Sequence, residues 1–288
     1  MPRKKGKSMK EQRCILAVLA HPDDESFGMG GTLAYYARQG VMVRLICATR
    51  GEVGEVEPDL LKGYQSIAEL REHELRCAAA KLSLTSVDFL GYRDSGMRGT
   101  KENNDPRSLF QAPLDEVAKK IAALMRKYQP QIVLTFDPAG GYYHPDHVKV
   151  HQATVRAFSL AGDPNVKIAD TKPFSPRKLY FHTMPHGVFK LAVKIMPLLG
   201  MNPHEFGKNK DIDLTEIVGT DFPTHARINY RSAAKYRDEA AACHASQGGG
   251  SNSWLQWLQR YVFSSDTFMR AIPEAQNDPI EKDLFEGI

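Results

Sequence analysis

The sequence lacks any long run of apolar residues. Nowhere in its 288 residues is there a stretch near the roughly 20 apolar residues that span a bilayer as a helix, so a transmembrane segment is not expected. The basic start is followed only by the seven-residue apolar run 14–20, which is too short for the apolar core of a secretory signal. We therefore predict a cytoplasmic protein.

The chain also has little net charge. Its formal charge is +4, from 38 lysines and arginines against 34 aspartates and glutamates. Six cations crowd into the first thirteen residues: Arg3, Lys4, Lys5, Lys7, Lys10 and Arg13. A bare basic run of this kind is typical of a solvated tail. We predict a disordered basic tail over 1–11 and no nucleic-acid partner.

Cysteine is sparse and scattered. The four cysteines, Cys14, Cys47, Cys77 and Cys243, are far apart, and none belongs to a Cys-x-x-Cys pair. That spacing disfavours a cysteine zinc site or a redox motif. We predict buried, unpaired thiols in a reducing compartment.

A Gly-x-Gly-x-x-Gly fingerprint is missing as well. Residues 28–33 read Gly-Met-Gly-Gly-Thr-Leu, so Leu33 stands where the third glycine of a dinucleotide-binding turn belongs. A Rossmann-type nucleotide-binding module is therefore the weaker alternative. Gly30 and Gly31 are instead expected to let the first helix pack close to a sheet.

Strand and helix patterns alternate along most of the chain. Short apolar runs predict strands over 14–20, 41–49, 86–91, 131–136 and 178–183. Helices are predicted over 31–39, 65–81 and 114–128, from about 145, and over 229–246 and 252–263. This order predicts an α/β fold: a Rossmann-like, doubly wound and mainly parallel sheet with helices on both faces and a helical C-terminal region. We expect one domain over 12–270, an insert over about 161–213 with an amphipathic helix at 188–196, and a loosely held tail over 271–288.

Two clusters of polar residues follow buried strands. His21-Pro22-Asp23-Asp24-Glu25 comes directly after the run 14–20. His144-Pro145-Asp146-His147 follows the strand 131–136 and a glycine-rich loop. In a doubly wound sheet the first and fourth strands are neighbours, and their carboxyl ends face one crevice. The two clusters are therefore predicted to meet.

The residue types in these clusters suit a catalytic metal site. Two imidazoles and one carboxylate, from His21, His147 and Asp24, are ligands that zinc prefers, and three protein ligands leave one position open. Iron(II) or another divalent ion stays open. Asp23 is then free to act as general base, and His144 to polarise a carbonyl or protonate a leaving nitrogen. Asp146 is expected to fix the tautomer of a nearby histidine.

With these motifs the chain resembles the LmbE-like, or PIG-L, family of zinc-dependent N-deacetylases, which remove acyl groups from glucosamine units. Further similar stretches are Thr49-Arg50-Gly51-Glu52-Val53-Gly54, Arg71-Glu72-His73-Glu74-Leu75, Phe89 to Met97, and His244-Ala245-Ser246-Gln247. The resemblance covers about residues 12 to 270. It implies that Arg71 contacts the sugar and that Asp94 binds substrate hydroxyls. Glu52, Tyr142, His244 and Gln247 are further candidates for substrate binding.

Each of these candidates also has a plainer interpretation. Arg71 could pair with Glu69 or Glu74 on its own helix, and Asp94 could be a turn residue. Glu52 could only cap its loop, Tyr143 could replace Tyr142, and His244 and Gln247 could merely pack near the site. The stretch Asp266-Thr267-Phe268 departs from the Glu-x-Phe that the family often carries.

The expected activity is hydrolysis of an N-acyl, most simply N-acetyl, group from a small glucosamine-containing molecule. An amidase acting on a thiol-sugar conjugate or another N-acyl amine is an alternative with the same chemistry. A non-catalytic sugar-binding protein is disfavoured by the intact histidines and aspartates. A homo-oligomer is left open.

Overall fold

The computed structural model describes residues 12–183, 190, 193–204, 213–249, 264–276 and 278–288. Within them one sheet has the strand order β3-β2-β1-β4-β5-β7-β6. Its strands are β1 Cys14–Leu19, β2 Met42–Cys47, β3 Ser86–Phe89, β4 Ile132–Phe136, β5 Lys178–Thr183, β6 Ala226–Asn229 and β7 Ser265–Ile272. The α-helices of the same residues are α1 Asp24–Phe27, α2 Gly30–Arg38, α3 Ile67–Leu82, α4 Leu114–Tyr128, α5 Gly140–Tyr143, α6 Pro145–Gly162, α7 Leu214–Gly219 and α8 Ala234–Cys243.

The centre of the sheet is parallel, as predicted. All six residues of β1 are buried, and this strand pairs in parallel with β2 on one side and β4 on the other. An apolar residue at every position suits a strand that is covered on both faces. The chain reverses its direction of winding between β1 and β4, so a crevice opens at their carboxyl ends.

Helices form two packed groups. The long helices α4 and α6 pack on each other, while α2 and α3 pack with α8. Connections between parallel strands are almost always right-handed, so the reversal of strand order between β1 and β4 puts these two groups on opposite faces of the sheet. The predicted doubly wound arrangement is therefore confirmed, with helix and strand bounds within a few residues of those expected.

Two antiparallel strands extend one edge, and sequence patterning missed both. β7 runs antiparallel to β5, and β6 runs antiparallel to β7. β6 has only four residues, with burial alternating from Ala226 to Asn229, so it gives too short a pattern to detect. The predicted helix 229–246 begins later, at Ala234, after a 3-10 turn over Arg231–Ala233.

The C-terminal segment is packed, which corrects the expectation of a loosely held tail from 271. Ala271 and Ile272 end β7, and farther along Leu284 and Phe285 are buried in the main core. The backbone N–H of Leu284 donates to the Tyr36 hydroxyl at 2.7 Å. The buried Lys178 ammonium donates to Glu281 at 2.8 Å. Two apolar side chains near the end anchor a segment whose composition otherwise suggested a solvated tail.

The cysteine prediction is wrong for one pair. Cys77 of α3 and Cys243 at the end of α8 form a disulfide with a Cα–Cα distance of 5.8 Å. Cys14 and Cys47 are buried free thiols, as expected. The paired cysteines are 166 residues apart, and only the packing of α3 on α8 brings them together. Sequence spacing could not reveal this contact.

Several predictions fall wholly or partly outside the described residues: the basic tail over 1–11, part of the helix at 188–196, and the helix at 252–263. In the part of the chain that the structure describes, no helix is both long and apolar enough to span a membrane.

Candidate active site

The two histidine–aspartate clusters meet at the carboxyl ends of β1 and β4. Nδ1 of His21 lies 3.2 Å from Nε2 of His147. Asp24 contacts both rings, with Oδ1 at 3.3 Å from Nε2 of His147 and Oδ2 at 3.8 Å from Nδ1 of His21. The three side chains expected to bind a metal are therefore brought together.

Hydrogen bonds behind the two rings fix their tautomers. Nδ1 of His147 lies 3.0 Å from the carbonyl oxygen of Gly140, and Nε2 of His21 lies 3.1 Å from Oδ2 of Asp146. Both partners are acceptors, so each of these nitrogens carries a proton. In neutral rings, Nδ1 of His21 and Nε2 of His147 are then left with free lone pairs, and these two atoms face each other.

This arrangement fits a divalent cation. Two lone pairs 3.2 Å apart repel unless a proton or a metal cation lies between them. Burial alone would lower the pKa of His21, but the carboxylates around it raise the pKa well above its ordinary value, so the site favours a positive charge. Tetrahedral coordination at about 2.0–2.1 Å places ligand atoms about 3.3–3.4 Å apart, close to the spacing found here. The ring nitrogens of buried His21, His144 and His147 also lie close enough together to share one ion. The same is true of a ring nitrogen of His21 and carboxylate oxygens of Asp94 and Asp146.

Asp24 is prepared to carry a negative charge. Its Oδ2 accepts backbone N–H bonds from Ala20 at 3.1 Å and from His21 at 2.7 Å. Burial by itself would raise the pKa of this carboxyl, but His147 and His21 beside it hold the pKa below its ordinary value. Asp24 therefore stays ionised while it faces the two rings.

Asp23 points to a different partner. Its Oδ2 accepts a hydrogen bond from Nη2 of Arg71 at 3.0 Å, and among the described contacts no hydrogen bond or ion pair joins the Asp23 carboxylate to His21 or His147. Burial raises the pKa of the Asp23 carboxyl to about 6, although the Arg71 guanidinium opposes the shift. A carboxylate with a pKa near neutrality is well matched to general-base work.

His144 begins α6 and presents one nitrogen to the cluster. Its Nδ1 accepts the backbone N–H of Asp146 at 3.1 Å, and its ring centroid lies 4.6 Å from that of His21. Burial lowers the pKa of His144 well below its ordinary value, and His21 and His147 lower it further. The ring is therefore neutral, and its proton resides on Nε2.

Asp146 and Asp94 both lie behind His21. Besides its contact with Nε2 of His21, fully buried Asp146 accepts hydrogen bonds from the backbone N–H and the hydroxyl of Ser95. Oδ1 of Asp94 lies 3.5 Å from the same Nε2. The contact expected for Asp146 is present. Ser95 was missed, although its place in the Asp94-Ser95-Gly96 loop was a usable signal.

The residues expected to bind substrate are mostly enclosed. Arg71 and Asp94 are each 4% exposed. Oε2 of Glu52 accepts the backbone N–H of Asp94 at 3.0 Å, so Glu52 supports the loop rather than facing open space. Gly51, whose φ is +67°, lets its backbone lie against the Arg71 guanidinium, where a Cβ would come within 2.2 Å of Nη1.

The late His-x-x-Gln segment contacts α1 and the loops. Nε2 of His244 lies 2.7 Å from Oε1 of Glu25, and both side chains are fully buried. Burial by itself would lower the pKa of His244, but the Glu25 carboxylate raises it, and the overall shift is upward. This shift favours an ion pair. The Gln247 amide donates to Ser246 Oγ at 3.1 Å. The buried Glu25–His244 pair was not expected from the sequence.

A cleft of about 250 Å³ opens beside the cluster. Its described lining is Asp23, Asp24, Phe27, Gly28, Met29, Phe136, Asp137, Gly140, Gly141, Tyr142, His147 and His182. Tyr142 lies over His147 with ring centroids 4.9 Å apart, while the Tyr143 hydroxyl turns away to Thr220 at 2.5 Å. Burial lowers the pKa of His182 to about 4, so this lining imidazole is neutral. The cleft thus joins an apolar wall to the polar cluster.

Comparisons with known proteins agree with these features. A family model described as PIG-L, GlcNAc-PI de-N-acetylase, matches residues 16–158. A curated relative from Streptomyces avermitilis, 1D-myo-inositol 2-acetamido-2-deoxy-alpha-D-glucopyranoside deacetylase, is 33% identical over 96% of this chain and 97% of its own length.

Solved structures show the same fold at low identity. An N,N'-diacetylchitobiose deacetylase from Pyrococcus horikoshii superposes with a TM-score of 0.51 at 20% identity, covering 91% of this chain and 85% of its own. GalB, a 4-carboxy-2-hydroxymuconate hydratase from Pseudomonas putida, gives 0.61 at 20% identity over 93% of this chain and 99% of its own. Because a hydratase shares the fold, the fold alone does not identify the family. The family assignment rests on the sequence match to the Streptomyces relative, which extends over nearly the whole length of both chains. On that match the chain belongs to the PIG-L family of deacetylases, which hydrolyse N-acetyl amide bonds.

Proposed function

We propose that this protein removes the N-acetyl group from a small glucosamine conjugate with the help of a divalent cation, zinc first. The observation that carries the proposal is the pair of facing lone-pair nitrogens of His21 and His147, with ionised Asp24 beside them and Asp23 next to the same cleft. This arrangement combines three side chains that can bind a cation with a fourth, Asp23, that does not belong to the cation-binding group and can act as a base.

His21, Asp24 and His147 would hold the cation. A cation held there supplies Lewis-acid chemistry, which polarises an acyl carbonyl and lowers the pKa of water from about 16 to roughly 7. Behind these side chains, Asp146 and the Gly140 carbonyl orient the two rings, as partners of metal-binding histidines commonly do.

Asp23 acts as the general base. It accepts a proton from a water molecule as the water oxygen forms a bond to the acyl carbon. When the carbon–nitrogen bond breaks, Asp23 returns that proton to the leaving amine. The products are acetate and the amine, which takes up the proton of the acid and leaves as an ammonium ion. The upward-shifted pKa of Asp23 suits both halves of this exchange.

His144 serves as a hydrogen-bond donor to the developing oxyanion. Its Nδ1 is occupied by the Asp146 backbone N–H, so Nε2–H is the group available for donation. A neutral imidazole donor needs no proton transfer to stabilise charge on the acyl oxygen. Tyr142, which lines the wall of the cleft, would cover the acyl group.

The remaining candidates support these groups from behind. Arg71 contacts Asp23, Asp94 contacts His21, and Glu52 holds the Asp94 backbone. His244 contacts Glu25, and the Gln247 amide donates to Ser246. We propose that these residues act mainly by holding the catalytic groups, and that the sugar lies in the open part of the cleft.

The first substrate to test is the one for which the Streptomyces relative is named, 1D-myo-inositol 2-acetamido-2-deoxy-alpha-D-glucopyranoside. Purified protein loaded with zinc should release primary amine from this compound. Free N-acetylglucosamine, N,N'-diacetylchitobiose and a thiol-sugar conjugate complete the panel. No amine release from any N-acetylglucosaminide would contradict the proposal, while a preference within the panel would identify the aglycone.

We also propose that the reaction takes place in the cytoplasm. Alkylation of Cys77 and Cys243 in intact cells would test this location. Because disulfides are rare in a reducing compartment, a cytoplasmic protein should carry Cys77 and Cys243 as alkylatable thiols in the cell and form the bond between them after isolation without reductant, whereas a disulfide that persists in intact cells would argue against this location.

A further inference from the structure

The backbone of Asp23 has a conformation that side-chain-bearing residues rarely adopt. Its φ is 129° and its ψ is −30°, and it stands directly before α1. An aspartate in that position commonly caps the helix with its side chain, but Asp23 makes no such bond. Strained residues of this kind persist only where their surroundings hold them, and they concentrate at functional sites.

Two groups hold Asp23 in this conformation. Its backbone N–H donates to Oε2 of Glu25 at 3.0 Å. Its Oδ2 and the neighbouring Pro22 carbonyl both accept from Nη2 of Arg71, at 3.0 and 2.8 Å. Glu25 therefore fixes the main chain of Asp23, while Arg71 fixes its carboxylate.

Glu25 is itself fixed by two donors. Its second oxygen, Oε1, lies 2.5 Å from the Ser26 hydroxyl and 2.7 Å from Nε2 of His244. Glu25, Ser26 and His244 are each 0% exposed. A carboxylate buried this completely requires charged or hydrogen-bonding partners, and His244 supplies the charged one.

His244 is tied in turn to the helix that carries Arg71. Cys243, directly before it, is bonded to Cys77 of α3. Ser246, two residues after it, donates from its backbone N–H and its hydroxyl to Glu74 of α3, at 2.8 and 2.6 Å. The two supports of Asp23 thus share one rigid base, formed by α3 and the end of α8.

We propose that Glu25 and His244 are positioning residues, which hold the Asp23 carboxylate toward the cleft by fixing the strained backbone from which it projects. This inference rests on the proposed function of Asp23 as general base. Neither Glu25 nor His244 is among the described residues that line the cleft, so their effect on turnover passes through Asp23.

The test compares four variants with the parent. Glu25→Ala removes the acceptor for the Asp23 N–H, whereas Glu25→Gln keeps an acceptor oxygen there without the charge. His244→Gln removes the imidazole. Asp266→Asn is the matched control, because Asp266 is also a buried carboxylate that accepts one backbone N–H and one hydroxyl, from Thr32, at a place outside the cleft.

For each folded variant, kcat and KM on an N-acetylglucosaminide, zinc content and Tm are measured. Glu25→Ala should lower kcat by about 10²-fold, as expected for a displaced catalytic group, with KM and zinc content close to those of the parent. Glu25→Gln should recover most of that loss, and His244→Gln should fall between the two. Asp266→Asn should change Tm without changing kcat. Parental kcat in both Glu25→Ala and His244→Gln would overturn the proposal.

A double-mutant cycle separates positioning from general damage to the fold. In an Asp23→Asn background, Glu25→Ala should have no further effect on kcat, because Glu25 acts through the Asp23 carboxylate and that carboxylate is already absent. A further loss of the same size as in the parent background would mean that Glu25 acts on the fold alone, and would overturn the proposal.

A crystal structure of Glu25→Ala gives a readout without activity. We expect the φ of Asp23 to leave the region near 129° and its carboxylate to turn from the cleft. An unchanged Asp23 would refute the positioning role even if the parent hydrolyses no glucosaminide. Inactivity of the parent with displacement of Asp23 in the variant would instead refute the proposed function and leave the positioning contact supported.

Discussion

Arg71 donates a hydrogen bond to the carboxylate of Asp23, the proposed base, across 3.0 Å, and this contact directs Arg71 toward Asp23 rather than toward open solvent. Arg71 is 4% exposed, and its guanidinium also donates to the carbonyl oxygens of Pro22 and Gly51. The plainer expectation, a pair with Glu69 or Glu74 on its own helix, is not among the described ion pairs of Arg71. Arg71 thus couples α3 to the strained segment before α1.

Replacing Arg71 should therefore affect turnover more than substrate affinity. We expect Arg71→Ala to lower kcat by about 10²-fold with little change in KM, because Asp23 loses its orienting charge. Arg76→Ala is the control on the same helix, since Arg76 pairs with Glu72 at the surface. Steady-state kinetics on a glucosaminide decide the matter. A large rise in KM at constant kcat would favour direct contact with the sugar.

The two neighbouring aspartates should respond differently to removal of charge. Asp23→Asn should keep its metal and lose about 10²–10⁴-fold in turnover, as expected when a general base is removed. Asp24→Asn should lose metal affinity as well, because Asp24 contacts both His21 and His147, the other two proposed ligands. Metal analysis of dialysed protein, run beside the amine-release assay, distinguishes them. Equal metal loss in both variants would contradict the separate roles.

The central sheet and the convergence of the two histidine clusters could be predicted because both depend on local pattern. Buried runs identified β1 and β4, and the parallel order then required His21, Asp24 and His147 to share one edge. Other features depend on contacts between distant segments that carry no local signal. Glu25 meets His244 across 219 residues, and Cys77 meets Cys243 across 166. Leu284 and Phe285 gave too short an apolar pattern to predict their burial.

Asp266 should make folding stability depend on pH. Burial raises the pKa of its carboxyl to about 6, although the hydrogen bonds from Thr32 oppose the shift and Arg237 lowers the pKa further. Because the pKa of the folded state exceeds the ordinary value of 3.8, the folded state binds the proton more tightly. The contribution to stability is complete below about pH 4 and is lost as the pH rises through 6.

We therefore expect the free energy of unfolding of the parent to fall, relative to Asp266→Asn, by at most about 3 kcal/mol between pH 4 and 6. Denaturant unfolding at several pH values measures this difference. Asp115→Asn is the control, since Asp115 is an exposed carboxylate on α4. Parallel curves for the parent and Asp266→Asn would show that Asp266 is not the responsible group.

The disulfide between α3 and α8 should contribute measurably to stability. Cys243→Ser should lower the free energy of unfolding by about 2–5 kcal/mol in the absence of reductant, because the bond closes a long loop of the unfolded chain. Cys77→Ser should have the same effect, and the double variant should add little, since either change breaks one bond. The parent is purified in its native state without reductant, and its thiols are counted by alkylation. Four alkylatable thiols, together with an unchanged Tm in both single variants, would contradict the pairing.

The central claim, that cation-dependent chemistry at His21, Asp24 and His147 hydrolyses an N-acetylglucosaminide, is tested most directly by one assay. Primary amine release from 1D-myo-inositol 2-acetamido-2-deoxy-alpha-D-glucopyranoside is followed for the parent as purified, after removal of metal by a chelator, and after return of zinc. We expect activity to disappear with the metal and to return with zinc in the parent but not in Asp24→Asn. Full turnover by the metal-free parent, or none by the zinc-loaded parent on this or any other N-acetylglucosaminide, would contradict it.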